Sequence, residues 1–413
     1  MAKQLEYDLV IVGGGLVGAS LATALSGQGL RIAVLEAFAL RADNQPSYDD
    51  RSIALSWGSS RILNTMGIWS QIDQAGVSAI ETIHVSDRGH IGSARMSAHN
   101  EGVEALGYVV ENRVMGRVFA QSFEQMDDVD LLCPAQVQSV DISDKRARLL
   151  AMMDNESLDI TAALVVAADG GQSFIRQREG IDTFEANYGQ TAIIANISAE
   201  QTHDHVAYER FTNTGPLALL PMTKDGGHDR CSLVWTADNA EVDTIMGWDD
   251  ETFMNKLQQR FGYRMGRITQ AGKRNAYPLK LMQVREAIRP RLAIIGNAAH
   301  MLHPVAGQGF NLGLRDVAAL AQVVVDGHRR GEDIGQMMVL QEYRQWRRND
   351  TARTLLFTDG LVRSFSTDFK PMALVRNLGL LALDTLPFLK KTLTRQAMGL
   401  AGKQTRLARG LPL

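Results

Sequence analysis

The chain has 413 residues, 45% of them hydrophobic and 22% charged, enough apolar material for two packed domains whose core needs neither metal nor disulfide. A formal net charge of -3 argues against a nucleic-acid partner, and two cysteines, Cys133 and Cys231, are too few for a secreted disulfide framework. No apolar stretch approaches the roughly 20 residues needed to cross a bilayer, so the expected protein is cytoplasmic and attached at most to a membrane surface.

Residues 7–12 form a short apolar run of the kind that makes a strand buried on both faces. Gly13-Gly14-Gly15-Leu16-Val17-Gly18 follows, then an Ala- and Leu-rich helical stretch that Gly29 stops. Residues 31–36 read as a second strand ending in an acid. In such a GxGxxG turn, Gly13 allows the tight bend and Gly15 lets backbone approach a pyrophosphate. Gly18 lets the helix pack close to the strand. Glu36 stands 18 residues after Gly18, where an acid binds ribose hydroxyls. Together these features predict a dinucleotide site without saying which dinucleotide.

Two later strands have the same character. Residues 164–168 end at Asp169-Gly170, and residues 292–295 end at Gly296-Asn297. Between them, alternating segments at 191–197, 205–211, 217–221 and 231–235 read as strands separated by turns, with a helix at 249–261. The expected fold is α/β: a Rossmann-like nucleotide-binding domain over 1–75, 100–183 and 270–365, with an inserted antiparallel-sheet substrate domain over 76–99 and 184–269. After Phe310 the chain reads as mostly helical, and 366–413 is a basic helical tail. From Lys370 onward that tail carries eight Lys and Arg against one acid, Asp384.

The strand ends carry further motifs. Asp169-Gly170 opens Asp169-Gly170-Gly171-Gln172-Ser173-Phe174-Ile175-Arg176. Gly296-Asn297-Ala298-Ala299-His300 runs into His303-Pro304-Val305-Ala306-Gly307-Gln308-Gly309-Phe310-Asn311, a glycine-rich loop at a helix start that presents N–H groups to an electron-rich ligand.

With these motifs in this order, the sequence resembles the single-component FAD-dependent aromatic hydroxylases, whose fold is that of para-hydroxybenzoate hydroxylase. The resemblance covers nearly the whole chain. It implies FAD held by Gly13, Gly15, Gly18, Glu36, Arg51, Asn112, Asp169, Gly296, Asn297, Gly307, Gly309 and Asn311. One position departs from the pattern: the family's aspartate after the late-strand glycine is Asn297, which keeps an acceptor and loses a charge. Asp50-Arg51-Ser52-Ile53-Ala54-Leu55-Ser56, His84-Val85-Ser86-Asp87-Arg88-Gly89-His90 and Gly215-Pro216-Leu217-Ala218-Leu219-Leu220-Pro221-Met222 resemble the ubiquinone-biosynthesis branch, the polyprenyl methoxyphenol hydroxylases.

For the chemistry, the resemblance implies that NADH or NADPH reduces FAD and that O2 is taken up as a 4a-hydroperoxyflavin. One oxygen then passes to the ring of a prenylated phenol, while protein orients the ring and excludes water. A single GxGxxG unit leaves the nicotinamide as a transient co-substrate, with Asp169-Gly170 as the contact for both nucleotides. No side chain stands out as a general base; Arg51, His300 and Pro304 are the flavin-proximal candidates.

His300 and His303 are read as loop packing rather than a metal pair, and no metal is expected. His203 and His205 read as solvent-facing. Leu374, Leu378, Leu381 and Phe388, interleaved with the tail's basic residues, fit a segment lying on the anionic inner face of the membrane, a helix packed on the body, or a docking surface for other ubiquinone-pathway proteins. Hydroxylation of another phenol or ring position, and a non-catalytic flavin-binding subunit, stay open as alternatives.

Overall fold

The computed structural model describes residues 2–40, 51–90, 92–212, 214–302, 307–365, 379 and 385–413. The apolar runs that end in turns meet in one sheet. Its strands lie in the order Ile288–Arg289, Leu292–Ile294, Glu156–Ala167, Lys3–Val12, Ile32–Leu35, Val129–Leu132. All neighbours are parallel except the first pair. Val12 is in register with both Leu35 and Ala167, and Ala167 with Ile294, which brings the expected strand ends to one edge. In open parallel sheets that carboxyl edge is where ligands bind.

Continuous apolar runs are needed here because both faces are covered. Leu9, Ile11, Leu164 and Val166 pack against Leu16–Leu25 and against Leu314, Val317 and Leu320 of the long helix Gln308–Arg329. Val10, Val12, Val165 and Ala167 face the other way, onto Ala147, Leu149 and Ala151. Those last three belong to a hairpin, Ala135–Ile142 with Ala147–Met153, that extends Glu156–Ala167 antiparallel. The sequence reading does not include this hairpin.

The second sheet has nine strands. Thr183–Ala199, His228–Asp238, Gly215–Asp225 and Val206–Thr212 contain the four expected segments, and Asp250–Phe261 is the expected helix, with Asp249 as its N-cap. Two differences from expectation stand out. The sheet is not wholly antiparallel, since Thr82–Asp87 joins Val206–Thr212 in parallel, a pairing free to form because no hairpin links strands so far apart in sequence. It also runs past residue 269, taking in Asn275–Val284 and His300–Met301.

One face of this sheet packs Trp235, Leu219 and Leu233 against Phe253, Leu257 and Phe261 of the helix. A small third sheet, Ser52–Ser56 with Gly107–Glu111 and Ser78–Ile80, bridges the two large ones.

His203 departs from its expected exposure. It is buried, with Nε2 at 3.1 Å from the Met222 carbonyl oxygen, because the chain folds this residue under the turn before Val206–Thr212. His205 is exposed as expected. Cys231 is a buried core residue, and both cysteines are free thiols.

The tail divides in two. Pro387–Ala397 is a helix, and the residues beyond it pack into the body: Met398 O accepts from Gly58 N at 2.8 Å, Arg406 pairs with Asp326 at 2.6 Å, and Leu407 is buried. In this second half Arg406 is therefore paired with the body and Lys403 lies over the Trp346 ring, while Arg409 is exposed. Leu374, Leu378 and Leu381 lie outside the described residues. Among the described residues, no helix is long and apolar enough to cross a membrane.

Candidate active site

Between the carboxyl edge of the first sheet and the open face of the second lies a cavity of about 1210 Å³. Pockets for one small ligand run to roughly 1,000 Å³ at the upper end, so this volume accommodates a dinucleotide together with part of a second molecule. Of the residues singled out in the sequence, Gly13, Gly15, Glu36, Arg51, Asn112, Asp169, Asn297, Gly307, Gly309 and Asn311 line it.

The glycine turn is built for close approach. Gly13 has φ +102°, and a Cβ there would stand 2.5 Å from the Ala168 carbonyl oxygen of the neighbouring strand. Gly18 lies behind the lining: a Cβ on it would come 1.9 Å from Gly13 O, so its absence lets the helix start against the turn. Gly296 is also behind the lining, packed on Val17.

Two helix N-termini point at the cavity. Leu16–Leu25 is capped by Gly15 and Gln308–Arg329 by Gly307. Neither has a side-chain cap or an acid in its first turn. Their first N–H groups thus carry uncompensated partial positive charge toward whatever occupies the space, which favours an anionic ligand. Gly309 has open space where a Cβ would stand, so the second helix presents bare backbone to the cavity.

Glu36 is buried at the end of Ile32–Leu35. Its Oε2 accepts from Gly14 N at 2.7 Å and its Oε1 from Phe38 N at 2.9 Å. Each oxygen keeps a lone pair for a ligand hydroxyl. Burial raises its pKa, against the lowering effect of the backbone donors.

Asp169 Oδ2 accepts from Ile175 N at 3.1 Å, while its buried Oδ1 has no hydrogen-bond partner among the described residues. Burial likewise raises this carboxyl. Asn297 is the exposed member of an otherwise buried run, so its side chain is available to a ligand. Asn311 has a different part: Oδ1 accepts from Ser56 N, and Nδ2 donates to Ala54 O and Gly307 O, clipping the glycine loop to the strand Ser52–Ser56.

Arg51 lines the cavity with its guanidinium 4.8 Å from the centre of the Tyr277 ring, a cation–π contact from the start of Ser52–Ser56 to the second sheet. His300 is not part of the lining. It is buried, with Nε2 2.6 Å from Asp316 Oδ2, and so is a structural hydrogen-bond partner outside the cavity lining. Pro304 and His303 lie outside the described residues.

The far wall is the open face of the second sheet. Ala192, Ile194, Ala207, Phe211, Ala218 and Val234 make it apolar, and Glu209 is set among them. Sequence reasoning missed Glu209 and Tyr277. The available signal for Glu209 was strand alternation, which puts Ala207, Glu209 and Phe211 on one face. Leu393 and Ala397 of the tail helix close one end of the cavity, which no local pattern foretold.

An acid at a strand end, glycine backbone facing inward and two uncapped helix starts together fit a flavin dinucleotide. A family model described as FAD binding domain matches residues 6–354. The ubiquinone hydroxylase UbiL of Rhodospirillum rubrum is 37% identical over 414 residues, covering 98% of this chain and 93% of its own. The 3-demethoxyubiquinol 3-hydroxylase of Escherichia coli is 31% identical over 404 residues, covering 95% and 98%. Among solved structures, p-nitrophenol 4-monooxygenase PnpA from Pseudomonas putida matches with a TM-score of 0.79 at 16% identity, over 98% of this chain and 100% of that one. At that identity the likeness speaks for the fold.

Proposed function

The chain belongs to the FAD binding domain family, and from that premise we propose that it hydroxylates the aromatic ring of a polyprenylated phenol, in the manner of a 2-octaprenyl-6-methoxyphenol hydroxylase. It is an FAD-dependent aromatic monooxygenase of ubiquinone biosynthesis, with NADH or NADPH as reductant. The observation that carries the finer reading is one continuous cavity, which joins a nucleotide cradle to an apolar sheet wall and is lined at its edge by Leu393 and Ala397 of the tail helix.

FAD, when bound, takes electrons from the nicotinamide and supplies activated oxygen to the ring. The chain's own residues bind and orient. Gly13, Gly15 and the first N–H groups of Leu16–Leu25 hold the pyrophosphate, with Gly18 and Gly296 allowing the close packing beneath. Glu36 holds ribose hydroxyls. Asp169, Asn297 and Asn112 hold the flavin half, while Gly307 and Gly309 present backbone to the ring system. Arg51, braced on Tyr277 in the cavity lining, would contact the cofactor or the substrate ring. That wall takes the substrate ring and keeps water away from it.

The prenyl chain leaves past Met96, Leu106, Leu393 and Ala397, all apolar lining residues. On the outside of the same helix, Leu386, Phe388 and Leu389 are 50%, 79% and 40% exposed beside Lys391 and Arg395, a surface suited to anionic lipid. The protein thus works peripherally, drawing a lipid substrate under this helix.

The test is turnover. Purified protein with FAD, NAD(P)H and a short-chain prenylated methoxyphenol should show a flavin spectrum and a product heavier by one oxygen atom. Bound flavin with NAD(P)H oxidation but no oxygenated phenol sinks the substrate assignment.

A further inference from the structure

One row of residues crosses the cavity face of the second sheet from strand to strand. Ala94 pairs with Val85, Val85 with Glu209, Glu209 with Ala218, Ala218 with Val234 and Val234 with Ile194. All six line the cavity, and five are apolar. Among the described residues, Glu209 is the one carboxyl on this wall, and it makes no side-chain hydrogen bond or ion pair. It is half-buried, and the part of it that is not covered opens into the cavity.

A carboxyl held among apolar side chains without a partner costs folding free energy, and nothing in the protein's own packing recovers it. The other charged lining groups are engaged elsewhere: Glu36 and Asp169 with backbone donors at the nucleotide edge, Arg51 on Tyr277. Tyr208, next to Glu209 in its strand, meets Phe261 and His84, and the flanking strands put Val85 and Ala218 beside the carboxyl. The polar partner that Glu209 lacks is therefore one the ligand brings.

Resting on the hydroxylase reading above, we propose that Glu209 receives the ring hydroxyl of the phenolic substrate and serves as its general base. In the step, the phenolic O–H bond breaks and a new O–H bond forms on a carboxylate oxygen of Glu209. The electron pair stays on the phenolic oxygen and is delocalised onto the ortho and para carbons, the positions that accept electrophilic oxygen. No electron leaves either molecule, and the proton returns to the phenolic oxygen once the new hydroxyl is in place.

A base of this kind works best with a pKa near the operating pH. Burial alone pushes Glu209 up to about 7, with no contribution from Glu36, Arg51, Asp169, Tyr208 or Tyr277. Activity should therefore rise as pH climbs through about 7 and the carboxylate forms.

The experiment compares wild-type holoenzyme with Glu209→Gln and Glu209→Leu, using a short-chain prenylated 2-methoxyphenol and the methyl ether of the same compound. Binding is followed by perturbation of the flavin spectrum. Wild type should prefer the phenol over its ether by at least about tenfold, and Glu209→Leu should bind the two within about threefold of each other, since the hydrogen-bond acceptor is gone. Glu209→Gln should keep KM within about threefold, lose about 10²-fold or more in kcat, and lose the acid limb of the pH profile.

Both variants should retain the flavin spectrum, and Glu209→Leu should raise Tm, whereas a residue kept for structure would lower it. A Glu209→Leu protein that still discriminates phenol from ether, or a Glu209→Gln protein with an unchanged pH profile, overturns the assignment. Wild type that discriminates the two compounds yet oxygenates neither overturns the hydroxylase reading while supporting Glu209 as the hydroxyl's partner.

Discussion

Nε2 of His300 stands 2.6 Å from Oδ2 of Asp316, and the other oxygen of Asp316 accepts from Arg347 Nε at 2.6 Å. The same carboxylate takes Gly296 N at 3.0 Å, so one buried acid ties the third strand end of the first sheet to two long helices. Burial by itself would raise the Asp316 carboxyl. The facing His300 and Arg347 charges outweigh it and hold the group well below the usual carboxylate range.

Asp316→Asn leaves Arg347 a buried cation without this counter-charge, and a loss of about 3 kcal/mol in urea unfolding is expected. The pH dependence follows from the sign of the shift. A depressed folded pKa gives stability that is present above the unfolded value, roughly 4, and lost as pH falls below it. Acid unfolding of wild type between about pH 4 and pH 2 should accordingly be steeper than that of Asp316→Asn. Equal slopes would mean the carboxylate contributes nothing to acid stability.

Glu36→Gln replaces a carboxylate whose two oxygens each accept from backbone, at 2.7 and 2.9 Å. The carboxamide keeps one acceptor and turns an N–H donor toward a second N–H. Hydrogen bonds to a charged group contribute about 1.5–3 kcal/mol, so FAD affinity should fall about 10- to 100-fold. Fluorescence titration of apoprotein with FAD reads this directly, and undiminished affinity would remove Glu36 from the cofactor site.

Glycine substitutions separate local strain from ligand contact. Gly13→Ala meets both a φ of +102° and a carbonyl 2.5 Å away, and should fail to give folded holoprotein. Among the described residues, Gly309→Ala meets no atom within 4 Å beyond its own helix turn, and it sits in the first turn of a helix. Its apoprotein should be as stable as wild type or up to about 1 kcal/mol more so. The added methyl faces the space assigned to FAD, so affinity should drop while Tm holds. Unchanged affinity would place the cofactor away from this helix start.

For the tail helix, the measurement is sedimentation with vesicles rich in anionic phospholipid. Lys391→Glu with Arg395→Glu should weaken binding at least about tenfold at low salt, at about 1 kcal/mol per basic residue near the surface. Phe388→Ser should weaken it independently of salt. Turnover of a water-soluble phenol should be unaffected in both cases. Vesicle binding that ignores all three changes would put the lipid contact elsewhere.

The cofactor half of the site was legible because its requirements are local. A tight turn, a close backbone approach and an acid at a strand end are each met by residue type within a few positions of the chain, so Gly13, Gly15, Gly18 and Glu36 announce themselves. Strand burial was legible for a similar reason, since a strand covered on both faces must be apolar throughout.

Other features depend on which segments meet, and no local pattern states that. His300 and Asp316 are 16 residues apart, and only the packing of loop on helix makes the histidine a partner of that buried carboxylate instead of a cavity residue. The hairpin 135–153 was missed because the sequence reading placed a strand only at 164–168, while the hairpin pairs with residues 156–162, ahead of that apolar run. Glu209 carries no motif. It matters because Val85 and Ala218, drawn from two other strands, flank it with apolar surface.

Thus the sequence alone determined the nucleotide sheet and the glycine cradle, since backbone sterics and burial leave those choices few residues. Tertiary structure alone decided the shape of the substrate wall, the role of His300 and the isolation of Glu209. Those are properties of neighbours brought together from distant parts of the chain, and burial, which sets a side chain's charge and partners, exists only once they have met.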